Sequence, residues 1–181
     1  MPGIASATTV MANHCSEFIA SPYARTGILK NNPIHKDMLY AAQQAGLAFI
    51  LNVVINAEKK VIAAFAGDSE KAHLTGCEYV LKMAEVKAQP ADIVVTTNGG
   101  YPLDQNIYQS VKGMTAAEAN CKKDGVIIMV TDMCSPEMIK EMHMEHAATF
   151  QEALQRAFEI KGNNASVTVI PDGVSVIVRT A

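Results

Sequence analysis

The spacing of apolar positions changes character several times along the chain. Between residues 7 and 20, Val10, Met11, Phe18 and Ile19 recur among small residues, and Pro22 lies just beyond. This predicts one helix over 7–20 that ends before the proline. Residues 21–32 hold Pro22, Gly27 and two asparagines and read as loop. Asn32 then offers a cap and Pro33 a first helical position. Ile34, Met38, Leu39 and Ala42 supply the apolar stripe of that helix, and Gly46 closes it. Residues 47–55 and 61–66 are two apolar runs joined by a turn over 56–59. So short a link cannot make a parallel crossover, so the pair is expected to be an antiparallel hairpin.

A helix is expected over 69–87, with Pro90 marking a break. The run Asp92-Ile93-Val94-Val95-Thr96-Thr97 is β-branched and almost continuously apolar, as in a central, parallel strand. Asn98-Gly99-Gly100-Tyr101-Pro102 reads as a turn. Asp104 is expected to cap a short helix over 105–111, and Thr115 another over 116–121. A strand over 125–131, a long helix from Pro136 to about 160, and strands over 167–170 and 174–178 complete the pattern. Pro171-Asp172-Gly173 is a tight turn between the last two. Strands alternating with helices predict an α/β fold, a layered αβα arrangement with a mixed, largely parallel sheet in the C-terminal half. The mild break near 87–90 divides the chain into lobes 1–89 and 90–181.

The chain's 181 residues suit one domain or two small ones, and 49% hydrophobic with 18% charged residues is a globular balance. A net charge of −3 with no Lys/Arg block gives no surface for nucleic acid. Neither apolar run approaches the ~20 residues that span a bilayer, so no membrane association is expected. The N-terminus lacks a basic region followed by an apolar stretch. Cys15, Cys77, Cys121 and Cys134 are not paired at zinc-site spacing, and reduced thiols fit a cytoplasmic protein.

The segment after the buried strand, from Thr96 to Lys112, is the strongest site candidate. Ligands of open α/β sheets sit beyond the carboxyl ends of strands, and a following helix N-terminus favours an anion. Tyr108 and Lys112 are four apart and share one helix face, which Gln109 borders. A phenol, an amide and an ammonium together suit a small hydroxy acid, with Lys112 meeting its carboxylate. A glycine-pair loop followed by a solvated helix surface explains the same residues without a ligand.

His14 suits nickel, zinc or copper, but the neighbouring Cys15 diverges from it by about 100° on a helix, and a lone histidine is commonly a cap or surface residue. His143 and His146 are three apart on the expected long helix, without the order of a zinc protease. His35 and His73 stand alone near helix starts and are expected to act locally. No Gly-x-Ser-x-Gly elbow is present, and Cys15 and Cys134 have no sequence-evident base.

Three stretches resemble the nickel-pincer lactate racemase family, over roughly the first two-thirds of the chain. They are DIVVTTNGGYPLDQNIYQSVKGMTAAE over 92–118, PGIASATTVMANH followed by SPYARTGILKNN over 2–32, and NPIHKDMLYAAQQAGLAFILNVVIN with AFAGD over 32–87. The resemblance implies racemisation of lactate or related 2-hydroxy acids by reversible hydride transfer to a nickel-pincer nucleotide. It implies substrate contacts at Tyr108, Gln109 and Lys112, and nickel coordination by His14. It makes lobe 1–89 the remainder of a cofactor-binding α/β lobe. The tethering lysine, the two acid–base histidines and an anion-binding arginine are expected upstream of Met1. DMCSPEM after Thr131 lacks the glycine-rich continuation of the family, and no tryptophan occurs. The expectation is therefore a fragment or subunit of a racemase, inactive alone, with the cofactor held only in the complete enzyme. A complementary N-terminal half and a homo-oligomer both fit as partners. The alternative is a non-catalytic scaffold or a small-anion binding module.

Overall fold

The computed structural model of the chain describes residues 5–180 and divides into two compact units, Met1–Glu85 and Val86–Ala181. In the first, α1 (Ala7–Asn13) and α2 (Ser16–Ala20) replace the single expected helix. The break falls at Cys15, whose extended backbone (φ −69°, ψ 152°) starts the second helix. Next comes α3 (Pro33–Gln44), where Asn32 accepts from the amides of Ile34 and His35 and Pro33 follows it, as expected. Strands β1 (Ile50–Ile55) and β2 (Val61–Gly67) form the antiparallel hairpin, with Leu51 opposite Ala66 and Val53 opposite Ala64. Helix α4 (Ser69–Ala84), capped by Asp68, packs on it. It ends before the expected Lys87, because Glu85 turns to an extended backbone and opens a strand.

Helices α3 and α4 are joined at His35 and His73, whose rings stack 5.4 Å apart. The two histidines thus work as a pair rather than singly. His35 is buried, and burial, then the His73 charge, lowers its pKa below the usual histidine value, with Glu70 opposing. A depressed histidine favours the neutral form in the fold, so acid protonates the unfolded chain first. Stability is therefore expected to fall as pH drops through about 6.5, the ordinary histidine value. Urea unfolding of the chain at pH 7.5 and 5.5 checks this, and His35→Gln should flatten the difference.

Strand β3 (Glu85–Lys87) begins at the last residue of the first unit, and the second unit continues with β4 (Ile93–Thr96), α5 (Ile107–Glu118), β5 (Ile128–Val130), α6 (Pro136–Glu141), β6 (Glu145–Ala147), α7 (Phe150–Lys161), β7 (Val167–Ile170) and β8 (Ile177–Arg179). It is an α/β unit with parallel pairings: β4 runs beside β7, with Ile93 opposite Val167, and β5 beside β6. The last strand pairs with β3, not with its sequence neighbour β7. Asp172 still organises the turn between them, accepting from the amides of Val174 and Ser175. Ile93, Ile170, Ala91, Ala116, Ala147 and the fully buried Ile139 form the core.

The long helix expected from Pro136 is two helices with a strand between them. His143 takes a left-handed backbone (φ 62°) that stops the first, and Thr149 with Glu152 forms a reciprocal capping box that starts the second. His143 and His146 therefore do not share a helix face, and His146 instead bonds through Nε2 to the Thr131 carbonyl at 2.8 Å. Among the described residues, no helix is long and apolar enough to cross a membrane, and the four cysteines form no disulfide.

Candidate functional site

Strand β4 ends at Thr96, and the next ten residues turn the chain into α5. Gly99 and Gly100 both take positive φ, 81° and 88°, which side-chain-bearing residues rarely adopt. The Tyr101–Pro102 peptide is cis. Asn98 is buried, and its Nδ2 donates to the carbonyls of Leu103 at 3.2 Å and Gln109 at 3.1 Å. One amide thus ties the tip of the turn to the first turn of the helix.

Two glycines permit this packing. A Cβ on Gly113 would lie 2.1 Å from Asn98 Oδ1, and one on Gly173 would lie 2.3 Å from Thr96 Oγ1 and 3.1 Å from the Gly113 Cα. The segment after β7 is bound to the same corner: Gly173 N donates to the Thr97 carbonyl, and Thr97 Oγ1 to that of Pro171.

The two short helices expected here are one. Asn106, not Asp104, is the cap, its Oδ1 accepting from the Gln109 amide at 2.9 Å. Thr115 lies inside the helix and turns its hydroxyl back to the Val111 carbonyl. Close packing at Gly113 holds the helix continuous where its sequence suggests an interruption.

Tyr108, Gln109 and Lys112 all stand on the first two turns of this helix. Lys112 Nζ donates to Gln109 Oε1 at 2.6 Å, so the ammonium and amide form one polar pair at the surface. Tyr108 is exposed one turn before Lys112. This face is open rather than enclosed. Two surface depressions, of about 420 and 470 Å3, are lined by other residues: Gln155, Phe158, Glu159 and Asn163 on and just beyond α7, and Glu78, Leu81, Lys82 and Glu85 at the end of α4.

His14 belongs to the first unit, where it ends α1. Its Nδ1 lies 2.7 Å from the Val10 carbonyl. Donation from Nδ1–H to that oxygen places the imidazole lone pair on Nε2, the arrangement common to metal-bound histidines. Beside it, Asn13 Nδ2 donates to Asp37 at 2.7 Å, while Asn13 Oδ1 is buried without a hydrogen-bond partner. Among the described residues no group of three His, Cys, Asp or Glu side chains converges as a metal site. As a nitrogen donor, the His14 imidazole fits nickel chemistry.

Sequence reasoning placed Asn98 and Gly173 in turns but missed the anchoring role of both, and of Gly113. The signal for Gly113 was present, since a lone glycine within a helical pattern commonly marks a close approach. Asn98 carried no comparable mark.

A family model described as the lactate racemase C-terminal domain matches residues 86–131 and 127–178. The lactate racemases of Thermoanaerobacterium thermosaccharolyticum and Lactiplantibacillus plantarum are 49% and 44% identical over 238 aligned residues, covering 99% of this chain and 56% of each relative. The chain thus spans about half the length of the relatives it matches. The structure of the lactate racemase apoprotein from T. thermosaccharolyticum superposes with a TM-score of 0.91, over 99% of this chain and 57% of that one. An alignment of 238 positions exceeds the 181 residues here by 57, so this chain is shortened internally relative to both proteins. The two stretches matched by the family model meet at 127–131, which puts the shortening at β5, beside the departure expected at DMCSPEM. Matched across its second unit by the family's C-terminal domain and superposed along nearly its whole length, the chain belongs to the lactate racemase family and represents its C-terminal portion.

Proposed function

We propose that this chain is the back portion, as fragment or subunit, of a racemase acting on lactate or a related 2-hydroxy acid. The observation that carries this reading is the polar pair of Lys112 and Gln109, presented with Tyr108 at the N-terminal end of α5 beyond a parallel strand. Lys112 meets the substrate carboxylate as a charge-assisted donor. With Gln109 Oε1 turned to Lys112, its amide NH2 is the end that donates to a substrate oxygen, and the Tyr108 phenol can donate or accept. The pair is exposed here, so both groups are strengthened when a covering part of the enzyme excludes water.

His14 is the residue that would hold nickel, through Nε2. A nickel-pincer nucleotide, when bound, supplies the hydride-accepting chemistry. The relatives are more than twice as long, and the acid–base histidines and tethering lysine implied by the resemblance belong to the part this chain does not span. Alone, the chain is expected to be inactive. The internal shortening at β5 supports a second reading, a scaffold or small-anion binding module that retains Lys112 and the helix N-terminus.

Co-expression with the complementary portion of the T. thermosaccharolyticum enzyme, followed by metal analysis and a lactate racemisation assay, separates these readings. Racemisation with bound nickel supports the first. Lys112→Ala should then raise KM by about 10- to 100-fold, the worth of a charge-assisted hydrogen bond. His14→Ala should reduce nickel content while leaving the circular dichroism unchanged. A formed complex without nickel or racemisation would sink the enzymatic reading.

A further inference from the structure

The β1–β2 hairpin has two apolar faces and only one of them is covered. Phe65 lies on the face packed against α4: a Cβ on Gly76 would be 3.2 Å from its ring, and its ring centroid is 5.5 Å from that of Tyr79. Side chains alternate along a strand, so Leu51 and Val53, with their cross-strand neighbours Ala66 and Ala64, point the other way. Leu51 is 63% exposed, Val53 50%, Ile55 49% and Val61 60%. No charged residue interrupts this face, since Glu58, Lys59 and Lys60 are confined to the turn at one end.

Strands that meet water on one face ordinarily alternate apolar with polar residues, whereas ILNVVI and VIAAFAG are almost uniformly apolar. That composition belongs to strands covered on both sides. A contiguous apolar patch on a soluble protein marks an interaction surface.

We infer that the outer face of this hairpin, centred on Leu51, Val53, Ile55 and Val61, is the seat for the remaining part of a lactate-racemase fold. The partner is a polypeptide layer with an uncharged apolar face, supplied by the part of the family fold outside this chain's match. That part exists in the relatives, 44% of whose length lies beyond the match, and the T. thermosaccharolyticum apoprotein superposes on 99% of this chain with a TM-score of 0.91. A relative that carries this same fold together with the further length favours that occupant over a second copy of this chain. The inference rests on the family reading given above, but not on catalysis.

The test uses the whole chain and an affinity-tagged complementary portion of the T. thermosaccharolyticum racemase. The two should co-purify, and amide hydrogen exchange over β1 and β2 should slow in the complex. Leu51→Lys combined with Val53→Lys should reduce the co-purified chain at least about tenfold, with unchanged circular dichroism. If that variant fails to fold, exchange on the unaltered chain decides. Three results overturn the inference: no complex, a complex with unchanged exchange at the hairpin, or capture undiminished in a folded variant. A chain that dimerises alone through this face, and is made monomeric by the double substitution, also overturns it. Racemisation is read separately. A protected hairpin without racemisation leaves the seat standing and removes the catalytic reading, and racemisation with an unprotected hairpin does the reverse.

Discussion

Gly113→Ala is expected to destabilise the second unit by about 2–4 kcal/mol, although alanine is the better helix former by about 1 kcal/mol. The added methyl would lie 2.1 Å from Asn98 Oδ1 and 3.3 Å from its Cγ. Asn98 cannot simply swing away. It is buried, and its Nδ2 is committed to two carbonyls. Moving it forfeits two hydrogen bonds at about 1 kcal/mol each and strands buried polar atoms, so crowding outweighs helix propensity. Moving α5 instead disturbs the close approach of Gly173 to Gly113. The melting temperature should fall by roughly 10–25 °C, at about 4–8 °C per kcal/mol for a unit of this size. Gly76→Ala is the comparison. Its methyl meets only the Phe65 ring at 3.2 Å, and a loss within about 1 kcal/mol is expected there. A rise in melting temperature for the Gly113 variant would mean that α5 does not lie so close to β4.

Asn32 with Pro33, the 56–59 turn and the β-branched run 92–97 show why much of the fold was legible. Each signal acts within a few residues, and nothing in the tertiary structure opposes it. The failures lie where a distant contact overrides a local pattern. Residues 105–121 suggested two helices because Thr115 resembles a cap, yet packing at Gly113 carries one helix through it. The region 136–160 shows helical spacing, but the left-handed His143 and the pairing of β6 with β5 divide it. Thr149 and Glu152 carry the spacing of a capping box in the sequence itself. Pairing of β8 with β3, across some ninety residues, has no local signature at all.

The site shows the same division. Tyr108, Gln109 and Lys112 were placed together by helical spacing, and they share the first turns of α5. Their anchoring was invisible, because Asn98 acts on carbonyls five and eleven residues away, and glycine contacts arise only once α5 lies on β4. The break at Cys15 likewise gives the chain around His14 a different local geometry from a continuous helix.

Asn98→Asp separates the shape of this anchor from its hydrogen bonding, since the two side chains are nearly isosteric. A carboxylate cannot donate, and the new oxygen would face the Leu103 and Gln109 carbonyls at 3.2 and 3.1 Å, where Nδ2 now donates. Two lost bonds and two buried acceptors without a donor predict a loss of about 2–4 kcal/mol at neutral pH. Burial and the facing carbonyl oxygens favour the protonated acid, which restores one donor and raises the introduced group's folded-state pKa above the ordinary value of about 3.9. A raised carboxyl makes the folded state bind more protons, so stability is retained at low pH and lost as pH rises through the folded pKa. Urea unfolding of the variant and parent at pH 5 and pH 8 should therefore show a gap that widens with pH. Hydrogen exchange should show faster opening over 98–109, the segment that carries Tyr108 and Gln109 into place. An equal gap at both pH values would show that Asn98 fills space without holding the turn to the helix.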